Sequence, residues 1–451
     1  MTIEVSPELT APPIESTTAQ TDTYLSSLLA QRQPLDPQVL GTETAAFVQD
    51  LRDRATALAQ ELTIPTTREE EWRFTDLSPL RTVQFTAIEP GQSTAGAEQI
   101  SGFVLPESSL RLVFVNGIFA PELSNLQTLP AGLKVGNLAG QSDSLKAYLA
   151  QQPGSEEIFT VLNTASFSDA AVVKVDRNQQ IEAPLHLLFI AVPTSTPTIV
   201  HPRCLVIAET SSRLTLVEEY VTVGTGVQLT NAVTEIWLGS NAEVNHSRIQ
   251  AQALDGFHIG KTAVSQARDS RYTGQAISLG GQISRHNLEV HSTGEQTQTS
   301  LNGLTLATGE QLSDTHSTIG FSKPYCTSQQ LHKCIVSDRA RAVFNGKVFV
   351  PKAAQLTDAA QLNRNLLLSP KARIDTKPQL EIVADNVKCS HGATVSQLEE
   401  DEIFYLRSRG LNYQDASNLL VKGFAVEMLE TIPVPSLHQR LTTQILSQIH
   451  L

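Results

Sequence analysis

Hydrophobic and polar positions divide the chain into three textures. Between residues 42 and 62, Phe47, Leu51, Ala55, Leu58 and Leu62 recur at steps of three and four. Thr42 stands before them as an N-cap and Pro65 after them as a stop, so this stretch predicts an amphipathic helix. Residues 112–115, then Asn116-Gly117, then Ile118-Phe119 predict a strand, a type I′ turn and a returning strand. A second helix is predicted over 158–167. From about Ala171 to Thr394 helical spacing disappears. Short aliphatic runs take its place, at 172–175, 185–192, 204–207, 214–217, 232–238, 301–306, 342–350 and 380–383. Near Ser396 helical signals return. Ser396-Gln397-Leu398-Glu399 reads as a capping box, followed by acidic residues in the first turn and Gly410 as a closing residue. Asn412 caps a second segment with the stripe Ala416, Leu419, Leu420, Gly423, Phe424 and Met428, ending before Pro433. A third carries Leu437, Leu441, Ile445 and Ile449.

The β-rich stretch is punctuated by turn residues at 211–212, 239–241, 269–270, 293–294, 308–309, 337–338 and 369–370, separated by roughly 28, 28, 24, 15, 29 and 32 residues. Over 200 residues of strand without a helix argue against a βαβ fold. A stacked solenoid grows by adding coils that touch only their neighbours, so a parallel β-helix fits best; a jelly roll or tandem sandwich is the alternative. The expected organisation is a mostly helical N-terminal region over 1–165, a β-helix core over 166–395 and a C-terminal helical unit over 396–451. The segment up to Gln20 reads as a mobile tail, and 68–76 as a charged loop pinned by one aromatic pair. A short helical appendage has little core of its own, so part of its stripe is expected to face another protein.

Composition sharpens this picture. Thirty-three basic and 46 acidic residues leave a net charge of −13, which argues against a nucleic-acid partner. Charged residues make up 18% and aromatics 5%, so aliphatic and small side chains must fill the core. Four cysteines in 451 residues are no disulfide framework and point to a reducing, cytoplasmic compartment. No basic residue precedes Arg32, so no secretory or transit leader is expected. The longest apolar run, 185–192, contains His186 and is far short of a membrane span.

Residues 256–262, GFHIGKT, resemble a phosphate-binding loop with three residues between the glycines instead of four, and read as a turn. No dinucleotide fingerprint, nucleophile elbow or metalloprotease motif occurs. Cys and His at strand spacing remain. His332 with Cys334, and Cys389 with His391, are two apart, and residues i and i+2 share one face of a strand. Each pair offers a thiol and an imidazole side by side, soft ligands for iron–sulfur units or zinc. Inward-facing cysteines and hydrogen-bonded histidines account for the same spacing. The second pair carries more weight, because Gly392 permits close approach and the segment ends the β region, where a solenoid leaves an open edge.

Residues 375–382 (DTKPQLEI), 387–394 (VKCSHGAT) and 403–411 (IFYLRSRGL) resemble the SufB/SufD family of Fe–S cluster assembly proteins. The likeness extends through 330–333, 338–342 and 344–346, and back to 71–75 and 115–117. Residues 387–394 are nearer the SufD type than the SufB type. The resemblance implies a right-handed parallel β-helix between helical terminal regions. It implies a non-enzymatic subunit, with no catalytic residue, in a complex with SufB and two copies of the ATPase SufC. SufC would dock on the C-terminal helices through Phe404, Tyr405, Leu406, Arg407, Arg409, Leu411, Ala416, Leu420 and Phe424. SufB would join through the β-helix end, where His391 matches a histidine implicated in cluster assembly and Cys389 lies beside it. No cofactor is expected to bind stably; iron or a nascent cluster would pass transiently through the SufB interface. A sulfur-receiving cysteine of SufB aligns near Arg364, where this chain reads Asn363-Arg364-Asn365, so the chain alone should not hold a complete cluster site. Whether the isolated chain forms a homodimer without SufB stays open at this point. A purely structural partner, or a carbohydrate-active β-helix enzyme, are the rival readings.

Overall fold

The structure, a computed structural model, describes residues 22–448 except 90, 92 and 140; the expected N-terminal tail and Ile449 lie outside the described residues. The helices are α1 (Thr23–Leu29), α2 (Pro37–Leu40), α3 (Thr42–Ala59), α4 (Ser78–Arg81), α5 (Ala97–Ile100), α6 (Ser142–Tyr148), α7 (Ile158–Ser166), α8 (Glu400–Ser408), α9 (Tyr413–Leu429) and α10 (Pro435–Gln448). The strands are β1 (Leu110–Val115), β2 (Ile118–Phe119), β3 (Leu133–Gly136), β4 (Ala171–Val175), β5 (Leu185–Ala191), β6 (Thr198–Val200), β7 (Arg203–Ala208), β8 (Arg213–Thr222), β9 (Gln228–Leu238) and β10 (Glu243–Ala251). They continue as β11 (Phe257–Gln266), β12 (Arg271–Ser278), β13 (Ile283–Ser292), β14 (Gln298–Ala307), β15 (Leu312–Phe321), β16 (Thr327–Val336), β17 (Arg341–Val350), β18 (Asp358–Leu367), β19 (Arg373–Ile382) and β20 (Lys388–Ser396).

The strands alternate between two sheets. Sheet I runs β2-β1-β5-β8-β10-β12-β14-β16-β18-β20, and sheet II runs β19-β17-β15-β13-β11-β9-β7-β4-β3. All pairs but β1–β2 and β3–β4 are parallel, so the chain winds a parallel β-solenoid of about eight turns. The register fixes the repeat. Arg213 pairs with Glu243, then Arg271, Gln298, Thr327, Asp358 and Lys388, an advance of 27–31 residues per coil. Within the mostly helical N-terminal region, β1 pairs with β5 and β3 with β4, which places both strands inside the two sheets.

One corner of each coil turns through a left-handed residue: Ser211, Asn241, Asp269, Gln296, Tyr325 and Leu356, with φ between 57° and 63°. Each amide donates to a carbonyl of the following coil, from Ser211 N to Ser240 O through to Leu356 N to Asn386 O. Asn and Asp tolerate this conformation, but Tyr and Leu do not. The stacked hydrogen bonds hold Tyr325 and Leu356 there against local strain. The predicted hairpin forms as read, with Asn116 at φ 51° and Gly117 at φ 83°.

Inward-facing residues of the two sheets form the lumen. Its early coils are apolar: Leu110, Leu185 and Leu216 stack in register, and Phe114, Phe189 and Tyr220 stack ring on ring at 5.3 and 5.1 Å. Each fully buried side chain of this size contributes about 1.5–3 kcal/mol. The outer faces are covered unequally. Against sheet II, Val48, Leu51, Leu145 and Leu149 pack on Val172, Leu205 and Ile207. Against sheet I, Val421, Ala425, Met428, Leu437 and Leu441 pack on Val217, Ile249, Ile277, Leu304 and Ile335. The C-terminal unit thus spends most of its apolar stripe on the solenoid. Residues 257–262 of the loop-like motif lie in strand β11 rather than in a turn, and Lys261 is held by Glu289 (2.9 Å) and the Gly154 carbonyl (2.7 Å).

Residues 70–75 are a strap laid across the last strands of sheet II, not a free loop. Arg285 lies 3.8 Å over the buried Trp72 ring and donates to the Glu71 carbonyl (2.8 Å) and to Asp314 (2.6 Å). The Thr75 hydroxyl donates to Asp314, His316 sits 3.2 Å from both Asp314 and Glu71, and Lys377 on β19 pairs with Glu70. Burial alone would raise the Asp314 carboxyl, but His316, Arg285 and Thr75 pull it down to about 2. Burial would likewise lower His316, and the Asp314 charge outweighs it, so this imidazole titrates above its usual 6.5.

Two predictions follow from strain and charge. Replacing Leu356, which is 44% exposed, by Asn keeps the corner and removes the clash, and is expected to add about 1 kcal/mol of stability in urea unfolding. The strap makes stability depend on pH. The raised His316 contributes below pH 6.5 and loses its contribution as pH rises through its folded value; Asp314 contributes above 3.8 and loses its contribution as pH falls toward 2. The melting-temperature advantage of the native chain over His316→Gln should therefore peak near about pH 5 and shrink as the pH rises above the usual imidazole range.

Candidate functional site

Strand β20 continues the inward row of the lumen beyond the last complete coil. In β18 the buried residues of the inward row are Ala359, Gln361, Asn363 and Asn365, and they pair in register with Cys389, His391, Ala393 and Val395. The same row lies one coil deeper as Ser328, Gln330, His332 and Cys334. Among the described residues no strand pairs with the far edge of β20, so the face that is lumen in every earlier coil is open there. His391 is exposed and makes no hydrogen bond or ion pair among the described residues, Cys389 is half-buried and Val395 is 50% exposed. Across the lumen β19 ends sheet II with equal freedom, and Ile382 and Val383 lie exposed at its end. Both edges carry unpaired backbone donors and acceptors, a template for pairing with another chain.

The cysteine chemistry follows from burial. Desolvation pushes the Cys389 thiol up, the Ala359 amide opposes this and the Asp358 charge adds to it. It is therefore a protonated thiol in the isolated chain, and the thiolate is the form that binds metal. The His332/Cys334 pair shares a face as predicted, but that face is deep inside. Burial drives His332 down to about 3 and Cys334 up to about 12. The His332 ring bonds Thr305 at 3.0 Å and stacks on Phe344 with centroids 5.0 Å apart. A Cβ on Gly303 would fall 2.1 Å from His332 Nδ1, so this glycine makes room for the imidazole of the next coil. The pair is a packed element two coils below the open end and does not join His391.

The lumen is far more polar than the sequence pattern suggests. Glu218 accepts from Thr234 (2.6 Å) and Tyr220 and lies 2.7 Å from His246. Burial would raise this carboxyl, but His246 with these two hydroxyls holds it below its usual range. His258, kept neutral by burial and by Arg248, accepts from Arg248 and donates to Gln252 at 2.6 Å. Nearer the open end, Gln361 donates to Gln330 (2.8 Å), which donates to Ser317 (2.8 Å). Amides carry neither charge nor metal-binding signature, so nothing in the sequence pointed to Gln361, and Gln330 entered only as part of the family-like stretch 330–333. Among the described residues, no three His, Cys, Asp or Glu side chains converge as a metal site.

The second candidate surface is on the C-terminal unit. Phe404 and Tyr405 are 72% and 57% exposed, with Arg407 and Arg409 exposed beside them. Phe404, Arg407, Ser408, Leu411, Asn412 and Tyr413 line a notch of about 440 Å³. Leu406, Leu411, Leu420 and Phe424 are half-buried. Ala416 is fully buried, so it belongs to the core of the unit and not to a partner-facing patch. Phe424 faces the solenoid: its ring lies 4.4 Å from Lys333 Nζ and its carbonyl accepts from that amine at 2.8 Å. A larger cavity of about 590 Å³ lies elsewhere, between 31–37, 87–95 and 115–120, and none of the expected site residues lines it.

Comparison with known proteins fits this architecture. A family model described as the SUF system FeS cluster assembly SufBD core domain matches residues 190–424, and one for the SufBD protein N-terminal region matches 23–187. The chain is 48% identical over 416 residues to an iron–sulfur cluster assembly SufBD family protein of Synechocystis sp., covering 89% of this chain and 91% of that one. It is 33% identical over 387 residues to the iron–sulfur cluster assembly protein SufD of Escherichia coli, covering 85% and 88%. It is 32% identical over 453 residues to the protein ABCI7, chloroplastic, of Arabidopsis thaliana, covering 96% and 95%. Among the described residues no helix is long and apolar enough to cross a membrane.

The open end predicts selective thiol reactivity. Iodoacetamide at mildly alkaline pH should modify Cys389 first, faster as pH rises through its raised thiol value, and leave the buried Cys204, Cys326 and Cys334 until unfolding. Peptide mass spectrometry against time reads this directly; equal labelling of Cys334 would mean that the terminal coils open.

Proposed function

The chain belongs to the SufBD family of SUF iron–sulfur cluster assembly proteins, and from that premise we propose that it is the SufD-type, non-ATPase subunit of a cluster-assembly complex. The observation that carries the proposal is His391, an unpartnered imidazole on the inward row of an exposed terminal coil. In this reading the edges of β19 and β20 receive the corresponding end of SufB, and without SufB they pair with a second copy. The nascent cluster is cargo at that junction. SufB supplies the thiolates that this chain lacks, since Asn363-Arg364-Asn365 occupies the strand where SufB places its sulfur-receiving cysteine. A neutral imidazole holds iron less firmly than a full thiolate set, which suits a site that must release its product. Cys389 is a secondary ligand, recruited when docking changes its surroundings.

SufC docks on the exposed Phe404, Tyr405, Arg407 and Arg409, beside the notch of α8 and α9. ATP hydrolysis belongs to SufC. Closure of two SufC subunits moves the helical units and shears the SufB junction, exposing the Cys/His site. The four free thiols fit a reducing compartment, the cytoplasm in this proposal. In the rival reading the chain is a structural partner and His391 holds no iron.

A tagged chain is expected to co-purify SufB and SufC, and Phe404→Ala with Tyr405→Ala to lose SufC while keeping SufB. In the assembled complex supplied with iron and a sulfur donor, His391→Ala should lower cluster yield by about tenfold or more without releasing either partner. An undiminished yield would leave only the structural role.

A further inference from the structure

The last two inward positions of sheet I hold an unmatched pair. Gln361 and His391 are register partners on parallel neighbours, so their side chains project from the same row about 4.8 Å apart. Gln361 is 3% exposed, and its amide nitrogen donates to Gln330 Oε1 at 2.8 Å. Gln330 Nε2 in turn donates to Ser317 Oγ at 2.8 Å. Ser317 Oγ also donates back to Gln330 Oε1 at 3.2 Å, and the Gln361 oxygen is left buried with no partner. The side chain has no room to turn away, because a Cβ on Gly346 opposite would already lie 2.1 Å from Gln361 Nε2. A buried acceptor without a donor is costly to leave unmatched. The one side chain stacked above it is an imidazole that lacks a hydrogen bond.

We propose that Gln361 is a positioning residue for His391: its free carboxamide oxygen accepts the N–H of one imidazole nitrogen when the terminal coil is docked, and so presents the lone pair of the other nitrogen to iron at the junction. The inference rests on the reading of His391 as an iron ligand and adds a residue to that site. Its chemistry is that of an outer-shell partner. A neutral imidazole has two tautomers, and only the one whose N–H is engaged on the protein side offers its second nitrogen outward. An amide oxygen does this without adding negative charge, so the imidazole stays a weak ligand and iron remains releasable. Gln330 and Ser317 hold the amide from behind, as the second link.

The test uses the full chain assembled with its partners and supplied with ferrous iron and sulfide. Gln361→Leu removes the acceptor and keeps the bulk; Gln361→Glu keeps an acceptor, which Gln330 meets by turning its own amide over. Gln361→Leu is expected to slow cluster formation by about tenfold or more, and Gln361→Glu to recover most of the rate. Ring ¹⁵N spectra of histidine-labelled complex, with His391 assigned by its loss in His391→Ala, should show one hydrogen-bonded tautomer in the native chain and a mixture in Gln361→Leu. If His391→Ala is impaired and Gln361→Leu is not, Gln361 has no positioning role and the site reading stands. If His391→Ala is itself unimpaired, both fall. Should Gln361→Leu fail to fold, the native spectrum decides: a single engaged tautomer upholds the proposal, and an even mixture overturns it.

Discussion

In-register parallel pairing sets residue on residue about 4.8 Å apart along both sheets, so every inward side chain is judged by the ones directly above and below it. An aliphatic or aromatic stack satisfies this trivially, as Leu110, Leu185 and Leu216 or Phe114, Phe189 and Tyr220 do. A polar stack is satisfied best when its neighbours complete it, because an unmatched group buried from bulk solvent is costly. The pairs His246 with Tyr272, His332 with Thr305 and Gln361 with Gln330 show the rule at work. The rule has no neighbour to enforce it in the coil that lacks a successor. There the inward row presents a free imidazole over a free carboxamide oxygen.

The two ends of the solenoid are treated differently for the same reason. At the first coil, β2 and β3 close the sheets by antiparallel pairing, which removes one pair of edges. At the last coil, β19 and β20 are bare although the outer faces just behind them are covered by the strap and by α9. Exposed parallel edges are an association hazard that proteins normally blunt with bulges, prolines or covering loops. Leaving both open at one end only, with Ile382, Val383 and Val395 around them, suits an end meant to be covered by a similar coil of another subunit.

Local chemistry in the sequence made much of this legible. The Asn116-Gly117 hairpin, the helix over 42–59 and the corners at Ser211, Asn241 and Asp269 follow from residues that favour those conformations. The corners at Tyr325 and Leu356 were illegible, since neighbouring coils impose them against propensity. Strands with apolar inward rows stood out as β-branched runs. Strands such as β10 and β13 did not, because inward His246, Arg248 and His286 break the expected alternation of polar and apolar. The strap at 68–76 read as a loop, because its partners Arg285, Asp314 and Lys377 are more than 200 residues away. For the site, spacing established only that Cys389 and His391 share a face. Family resemblance singled out His391, and only the stacked register brought in Gln361.

The same stacking connects the C-terminal unit to the open end. Lys333 on β16 pairs with Glu427 of α9 and lies under the Phe424 ring, and Arg364 on β18 reaches the same carboxylate at 3.7 Å and the same ring at 5.7 Å. These two cations sit on the strands immediately preceding β20 in sheet I. A force applied to α9 is thus delivered one strand below His391, through a buried lysine and an aromatic ring, without passing through a flexible loop. On the opposite sheet the strap ties β19 to the N-terminal region through Lys377 and Glu70. Displacing α9 while the strap holds β19 shifts one edge of the open end relative to the other. Under the proposed function, that shift changes how squarely the last rung meets the docked subunit, and so ties movement of α9 to the binding and release of cargo at the junction.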